Sequence, residues 1–325
     1  LVYFYATRIL AKPGSFIFLV DRAALMTLIA ILSAGLVAAR LWGWARRWQV
    51  QTLLVLLLVF DLFTINWANN QGPLRDRFPV TPLIQAMKAD TGLFRMDAEA
   101  LPGHAGVVYG LEDIGGISPL RIRLYDDLMR RLPADRLRSL LSVRYMISQD
   151  QAVPTGARLV TKDGDAFLYR LTDPLPRAWV AGSVVVEPDA SRALAILASA
   201  DFDPRASVIL SEQPALQPSP AASGTATVVT HQPDRLSLDV QASAQAILVV
   251  SELYYPGWRA TVDGADTPIY RADHALRAVL VPAGHHSVEM VFDPLSFRAG
   301  AIISLAAIAA AAVVLLRAAW RARWR

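Results

Sequence analysis

Ser287-Val-Glu-Met-Val-Phe292, followed by Asp293-Pro-Leu-Ser-Phe297 and an uncharged run from Ala299 to Leu316, decides how this chain folds. Val288, Met290 and Phe292 alternate with Ser287, Glu289 and Val291, the two-residue period of a strand with one buried face. Ala299–Leu316 is apolar all round and would be roughly 27 Å long as a helix, enough to cross a bilayer. So few residues separate the two that a β-domain is expected directly against a membrane surface.

Working upstream, the period of two begins at Thr225. Leu236, Leu238 and Val240 alternate with Ser237 and Asp239, and Asp263-Gly264 and Pro282-Ala-Gly284 read as hairpin turns. Short strands at roughly ten-residue spacing predict an antiparallel β-sandwich over 225–297. Residues 213–224, rich in Pro, Ala and Ser, read as a linker. Before it, 68–212 reads as an α+β domain. Thr81-Pro82 caps a helix through Lys88, Leu93–Met96 is a strand, and Pro119–Leu132 and Ala134–Leu141 are amphipathic helices. Strands follow at Val143–Ile147, at Arg158–Val160 and Phe167–Leu171 around an Asp163-Gly164 turn, and at Trp179–Val186. A helix over Ser191–Ser199, capped by Asp189 or Ser191, and a strand over Ser207–Leu210 complete it.

Residues 1–67 form a membrane region with two further spans, about 16–39 and 50–67, the second interrupted only by Asp61. Arg40, Arg46 and Arg47 lie between them, and residues 298–325 hold the last span and a basic tail with Arg317, Arg321, Arg323 and Arg325. Both clusters are expected in the cytoplasm by the positive-inside rule, leaving 68–297 outside. The fold class read from the sequence is therefore a multi-pass α-helical membrane protein with an extracytoplasmic α+β region followed by an antiparallel β-sandwich. Asp61 lies inside the outer end of its span, where a charge needs a partner; Arg22 is read as that partner, the alternative being a polar cavity beside a lipid phosphate.

Composition agrees. Hydrophobic residues make up 54% of the chain and charged ones 18%, outside the balance of a soluble domain. The chain has no cysteine, which excludes disulfides, thiolate metal sites and a cysteine nucleophile. The net charge of +4 sits largely at membrane boundaries, which argues against a nucleic-acid partner.

Four residues are read as substrate-binding. Tyr255 and Trp258, with Tyr254 around Pro256-Gly257, offer flat rings for stacking on a sugar, or else pack the sandwich core. Glu112 and Asp113, within Gly110–Gly116, form a carboxylate pair for acid–base work, a cation, a glycan or a lipid-phosphate head, or else cap backbone amides. No Gly-Lys-Ser/Thr follows them, so the segment is not a phosphate loop. Asp273-His274 and His285-His286 invite a metal reading, but neighbours on a strand point to opposite faces, so the His pair cannot share one ion without a turn, and the histidines are read as surface residues. No catalytic residue, metal ligand or cofactor site is assigned.

Taken together, Ser251-Glu-Leu-Tyr-Tyr-Pro-Gly-Trp-Arg259, Val262-Asp-Gly264, Tyr270–Val279, Val281–His285 and Asp293–Phe297 resemble the carboxyl-terminal end of the YfhO-type bacterial membrane proteins, which look like GT-C glycosyltransferases. Asp61-Leu-Phe63, Tyr109–Leu120, Leu141–Tyr145 and Leu175–Trp179 extend the resemblance in order over nearly all of residues 50 to 316. It implies a plasma-membrane protein that transfers a sugar from a polyprenyl-phosphate donor to a cell-envelope polymer such as teichoic acid. The catalytic acid is expected in the first outer loop of a long amino-terminal helical bundle that this chain lacks, so the chain reads as the tail of a larger protein, inactive alone. Its expected partners are membrane lipids, the lipid-linked sugar, envelope glycan and the missing bundle. The alternative is a non-catalytic envelope module that binds glycan or another membrane protein.

Overall fold

The computed structural model describes residues 15–69, 78–98, 101, 105–116 and 120–323. The chain divides into two units, 1–79 and 80–325.

The first unit is a pair of packed helices, α1 (Ser15–Leu41) and α2 (Arg47–Asn69). They are joined by a tight turn in which Gly43 takes a φ of +78°, a conformation that glycine adopts without a steric penalty. Within α1, Ala24–Leu41 is long and apolar enough to cross a membrane, and none of it is buried. Helix α2 runs unbroken through Asp61. The Arg22–Asp61 pairing rests on the Arg22 side chain, which lies outside the described residues.

The second unit opens as its sequence dictates. Helix α3 (Pro82–Lys88) starts on Thr81, whose hydroxyl accepts from the Ile84 amide at 3.4 Å, and buries Leu83, Ile84 and Met87. There follow β1 (Arg95–Asp97), α4 (Ala105–Tyr109), β2 (Glu112–Asp113), α5 (Arg123–Arg131), α6 (Ala134–Leu140), β3 (Val143–Ser148), β4 (Ala157–Asp163) and β5 (Ala166–Leu171). Helix α5 begins three residues beyond Leu120, which was expected on its apolar face and is exposed instead. The five strands form one sheet in the order β2-β1-β3-β5-β4, with Met96, Tyr145 and Leu168 packed on Ile84 and Met87. The expected β4–β5 hairpin forms, with Asp163 paired to Ala166 and Gly164-Asp165 as its two-residue loop.

The rest of the unit comprises β6 (Ala178–Ala181), β7 (Ser183–Val186), α7 (Ala190–Ala198), β8 (Ser207–Leu210), β9 (Gly224–His231), β10 (Arg235–Ala242), β11 (Ala246–Leu253), β12 (Trp258–Val262), β13 (Ala265–Thr267), β14 (Tyr270–Ala272), β15 (Leu276–Val281), β16 (Gly284–Phe292) and α8 (Leu295–Arg323). The strands build a six-stranded sheet, β6-β11-β15-β14-β8-β7, and a five-stranded one, β13-β12-β16-β10-β9. One buried cluster joins them: Val180, Leu248, Val250, Val279 and Val281 from the first, Leu236, Leu238, Val240, Val288 and Met290 from the second. The alternation of β10 and β16 therefore faces a core, as the period of two requires. Helix α8 carries the second stretch apolar enough to span a membrane, Leu295–Val313, none of it buried.

Three local expectations change. Trp179–Val186 is not one strand: it bends at Gly182 into β6 and β7, the opposite edges of the six-stranded sheet, which therefore curls until one residue joins its two edges. Pro282-Ala-Gly284 does not turn a hairpin; β15 and β16 belong to different sheets, and this segment carries the chain between them. Asp263-Gly264 does turn one, both residues having positive φ (+51° and +82°), the geometry that matches the twist of a two-residue hairpin.

The third change concerns 213–224. The segment ties down rather than spaces out: Ser219 N donates to Gln245 O at 2.8 Å and Gln245 Nε2 to Gln217 O at 2.7 Å. A Cβ at Gly182 would meet Ser219 O and Ala222 O at 2.7 Å, so the two backbones touch. Strands from both sides of the segment pair in one sheet, β6 with β11 and β8 with β14.

Candidate functional site

The most concentrated chemistry lies where the three sheets meet. Arg95 on β1 and Glu112 on β2 are register partners in a parallel pair. Arg177 enters β6, Ser251 and Glu252 lie in the irregular end of β11 where its register against β15 shifts, and His231 ends β9. Burial is graded: the side chain of Arg177 is 5% exposed, Arg95 14%, Glu252 21%, His231 29% and Glu112 38%.

Arg95 is fully used. Its Nη1 donates to Ser251 Oγ (2.9 Å) and Leu141 O (3.1 Å), its Nη2 to Glu252 Oε1 (3.0 Å), and its Nε lies 3.4 Å from Glu112 Oε2. Ser251 Oγ donates to Leu140 O at 2.9 Å, so strand and arginine together satisfy carbonyls at the end of α6 that the helix leaves unpaired. Arg177 donates to Glu112 Oε2 at 2.7 Å and to Glu252 Oε1. His231 Nε2 is 3.0 Å from Arg177 Nη2 and 3.3 Å from Glu252 Oε1, and its Nδ1 is 3.5 Å from Glu112 Oε1.

A third arginine stands behind these. Arg277 donates through Nε to Leu253 O at 2.8 Å and lies 3.6 Å from the ring centroid of Trp258. Its Nη1 is buried without a hydrogen-bond partner, and burial lowers its pKa to about 10. Burial alone would raise the pKa of Glu252, but the hydrogen bond with His231 and the charges of Arg95, Arg177 and Arg277 outweigh it and hold the carboxyl at about 2. Such a group is a fixed anion at neutral pH and has no proton to donate. Each ion in a buried network must be paired, because removing one strands its partners in a medium that solvates them poorly. The cluster thus welds the sheets together.

The four residues read as substrate-binding are not brought to one place. Glu112 turns into the ion cluster. Asp113, the next residue on the strand, faces elsewhere: its Oδ1 accepts from Gly115 N at 3.0 Å, and it lines a cavity of about 390 Å³ with Arg121, Tyr125 and Leu253. The pair separates because strand neighbours alternate. In that cavity Tyr125 donates to Ile114 O at 2.5 Å, and burial pushes its phenol up to about 12. Trp258 is half-buried, one ring contact taken by Arg277 and another by Phe292 at 5.5 Å. Tyr255 is half-exposed and lines a separate cavity of about 660 Å³ with Arg259, Asp293 and Arg298.

The histidines divide. His285 is exposed and 2.6 Å from Asp239, and His286 is 2.7 Å from Asp263, whose hydrogen bond raises the histidine's pKa. Asp273-His274 is a correction, since both are buried in a turn under α7 with φ of +42° and +74°. Asp273 Oδ1 accepts from Ile209 N at 2.9 Å and burial raises its carboxyl to about 7; His274 Nδ1 donates to Ala190 O at 3.0 Å. Among the described residues no group of three or more His, Asp or Glu side chains is placed to hold a metal ion.

Sequence reading missed Arg95, Arg177, His231, Glu252 and Arg277. One signal was present: Glu252 follows the apolar run Ile247–Val250 within the same strand, and Arg277 stands between Leu276 and Ala278 in another. A charge inside a buried strand demands a partner.

The β-rich unit runs within two residues into an exposed helix long and apolar enough to cross a membrane. Over residues 219–304, which span β9 to β16 and the first turns of α8, the chain matches the family described as bacterial membrane protein YfhO. That match and the two apolar helices are consistent with a YfhO-type protein. No curated protein and no solved structure matches the chain.

Proposed function

We propose that the chain is the carboxyl-terminal part of a multi-pass plasma-membrane protein of glycosyltransferase-like type, whose β-rich unit lies outside the cytoplasm and positions a lipid-linked sugar donor or an envelope acceptor. In this reading α1, α2 and α8 cross the bilayer, with the arginines at 40–47 and 317–325 on the cytoplasmic side. Transfer from a polyprenyl phosphate to a cell-envelope polymer is what the resemblance implies, and the bond-making groups belong to another part of the protein. The observation that carries the reading is the commitment of Glu112 and Glu252 to arginine: both carboxylates are taken up in ion pairs between the sheets, and Glu252, held at about 2, has no proton to give at neutral pH. That commitment supports a placing role for the unit.

The exposed polar face of the five-stranded sheet supports a second reading, a non-catalytic module that binds glycan. Thr225, Thr227, Asp239, Gln241 and His285 are exposed on adjacent paired strands. Membranes carrying the full-length protein should consume polyprenyl-phosphate sugar, and membranes carrying only residues 1–325 of this chain should not. Turnover by this chain alone contradicts the positioning role. Glycan binding by a full-length protein that consumes no donor selects the second reading.

A further inference from the structure

The junction between β16 and α8 carries a feature that neither role uses. Only Asp293 and Pro294 separate the strand from the helix, and the apolar window of α8 begins at Leu295, so the edge of the sheet sits at the depth of lipid headgroups wherever α8 crosses a bilayer. The junction is stiff. Asp293 N donates to Gly257 O at 2.8 Å, and Gly257, at a φ of +102°, packs so closely that a Cβ there would meet Pro294 Cβ at 2.9 Å. Leu295 and Phe297 are 80% and 75% exposed, as residues that face acyl chains would be.

The cavity of about 660 Å³ at this junction has Tyr255, Arg259, Phe292, Asp293, Ser296 and Arg298 in its wall. Two arginines and one aspartate are its only charged residues, a balance of +1. Arg298 is held in place by Asp293, with Nε donating to Oδ1 at 2.8 Å and Nη2 to Oδ2. Arg259 is loosely engaged, its Nη2 at 3.3 Å from Asp266 with both partners well exposed, a surface pair that yields readily to a stronger acceptor. A guanidinium presents paired donors that match phosphate oxygens, and a half-exposed tyrosine suits the interfacial layer.

We propose that this cavity binds the phosphodiester headgroup of a membrane lipid, with the phosphate on Arg259 and Arg298 and the acyl chains running down α8 past Leu295 and Phe297. A phosphodiester would take over Arg259 from its exposed partner Asp266, and the volume lies in the range of small-molecule sites. The site requires only that α8 lie in a bilayer; it stands whether or not the protein handles sugar.

Native mass spectrometry of the full chain in detergent, with added phosphatidylglycerol, reads this directly. The chain should retain the lipid, and diacylglycerol with the same acyl chains should be retained roughly tenfold less, since it lacks the phosphate that the arginines hold. Arg259→Gln, at an exposed position that leaves the fold intact, should cut retention severalfold. Arg259→Gln with Arg298→Gln should abolish it, while Arg317→Gln, at the far end of α8, should change nothing. Three outcomes overturn the proposal: equal retention of diacylglycerol, which means ordinary annular lipid; native retention by the double variant; or displacement of the lipid by equimolar glycerol phosphate, which means a site for free phosphate.

Discussion

Two sets of arginines in the second unit do opposite things. Arg95, Arg177 and Arg277 are buried, and against them stand two carboxylates, both engaged by at least two partners. Arg259 and Arg298 are 62% and 61% exposed and meet one carboxylate each. The same chemistry is structural where solvent is excluded and available where it is not. In the interior the cost of leaving an ion unpaired exceeds any gain from flexibility; at the surface a pair contributes about 0–1 kcal/mol and can exchange partners.

The sharpest way to break this contrast is to remove the carboxylate at its centre. Glu252→Gln leaves three buried arginines short of charge and should destabilise the chain by about 3–5 kcal/mol, whereas Arg259→Gln should stay within about 0.5 kcal/mol. Chemical denaturation in detergent measures both, and equal effects erase the distinction between the two regions.

The pH dependence sharpens it next. The folded-state pKa of Glu252 is depressed to about 2, so its stabilisation is present above the ordinary glutamate pKa and is lost as pH falls through that value toward 2. Asp273 runs the other way. Its pKa is raised to about 7 by burial, so the folded state holds the proton more tightly, and stability falls as pH rises from the ordinary aspartate range through 7. Asp273→Asn keeps an oxygen for the Ile209 amide and should remove that decline, adding about 2 kcal/mol or more at pH 8 relative to pH 4. A native-like decline in the variant assigns it to another group.

Gly182→Ala is expected to cost about 1–3 kcal/mol, because the new methyl would press on three backbone carbonyls of 219–222. An unchanged midpoint in thermal unfolding means that 213–224 is held no more firmly than a linker. The smallest effect belongs to Tyr255, set against its neighbour Trp258. Trp258→Ala uncovers Arg277 and should cost about 3 kcal/mol, while Tyr255→Ala should change stability by less than about 0.5 kcal/mol. A reversal of that order moves the structural role to Tyr255.

What the sequence made legible was local. The alternation at 236–240 and 288–292, the Thr81 cap, and the hairpins at 163 and 263 each specify a conformation within a few residues, and each is found. What it hid was pairing at a distance. Nothing near residue 182 says that β6 and β7 part to opposite edges of a sheet, and nothing near 282 says that the next strand joins another. The ion cluster was hidden for the same reason: Arg95 and Glu252 are 157 residues apart. Glu112 and Asp113 looked like a pair because they are neighbours in sequence, and strand alternation is what separates them.

The central claim, that the buried ions weld the sheets, is tested most directly by a double-mutant cycle on Arg95 and Glu252. Unfolding free energies of native chain, Arg95→Met, Glu252→Gln and the double variant should give a coupling of about 2 kcal/mol or more, the double variant being less destabilised than the two single changes summed. A coupling below about 0.5 kcal/mol would mean that the two residues act independently and that the sheets are held by their apolar cores alone.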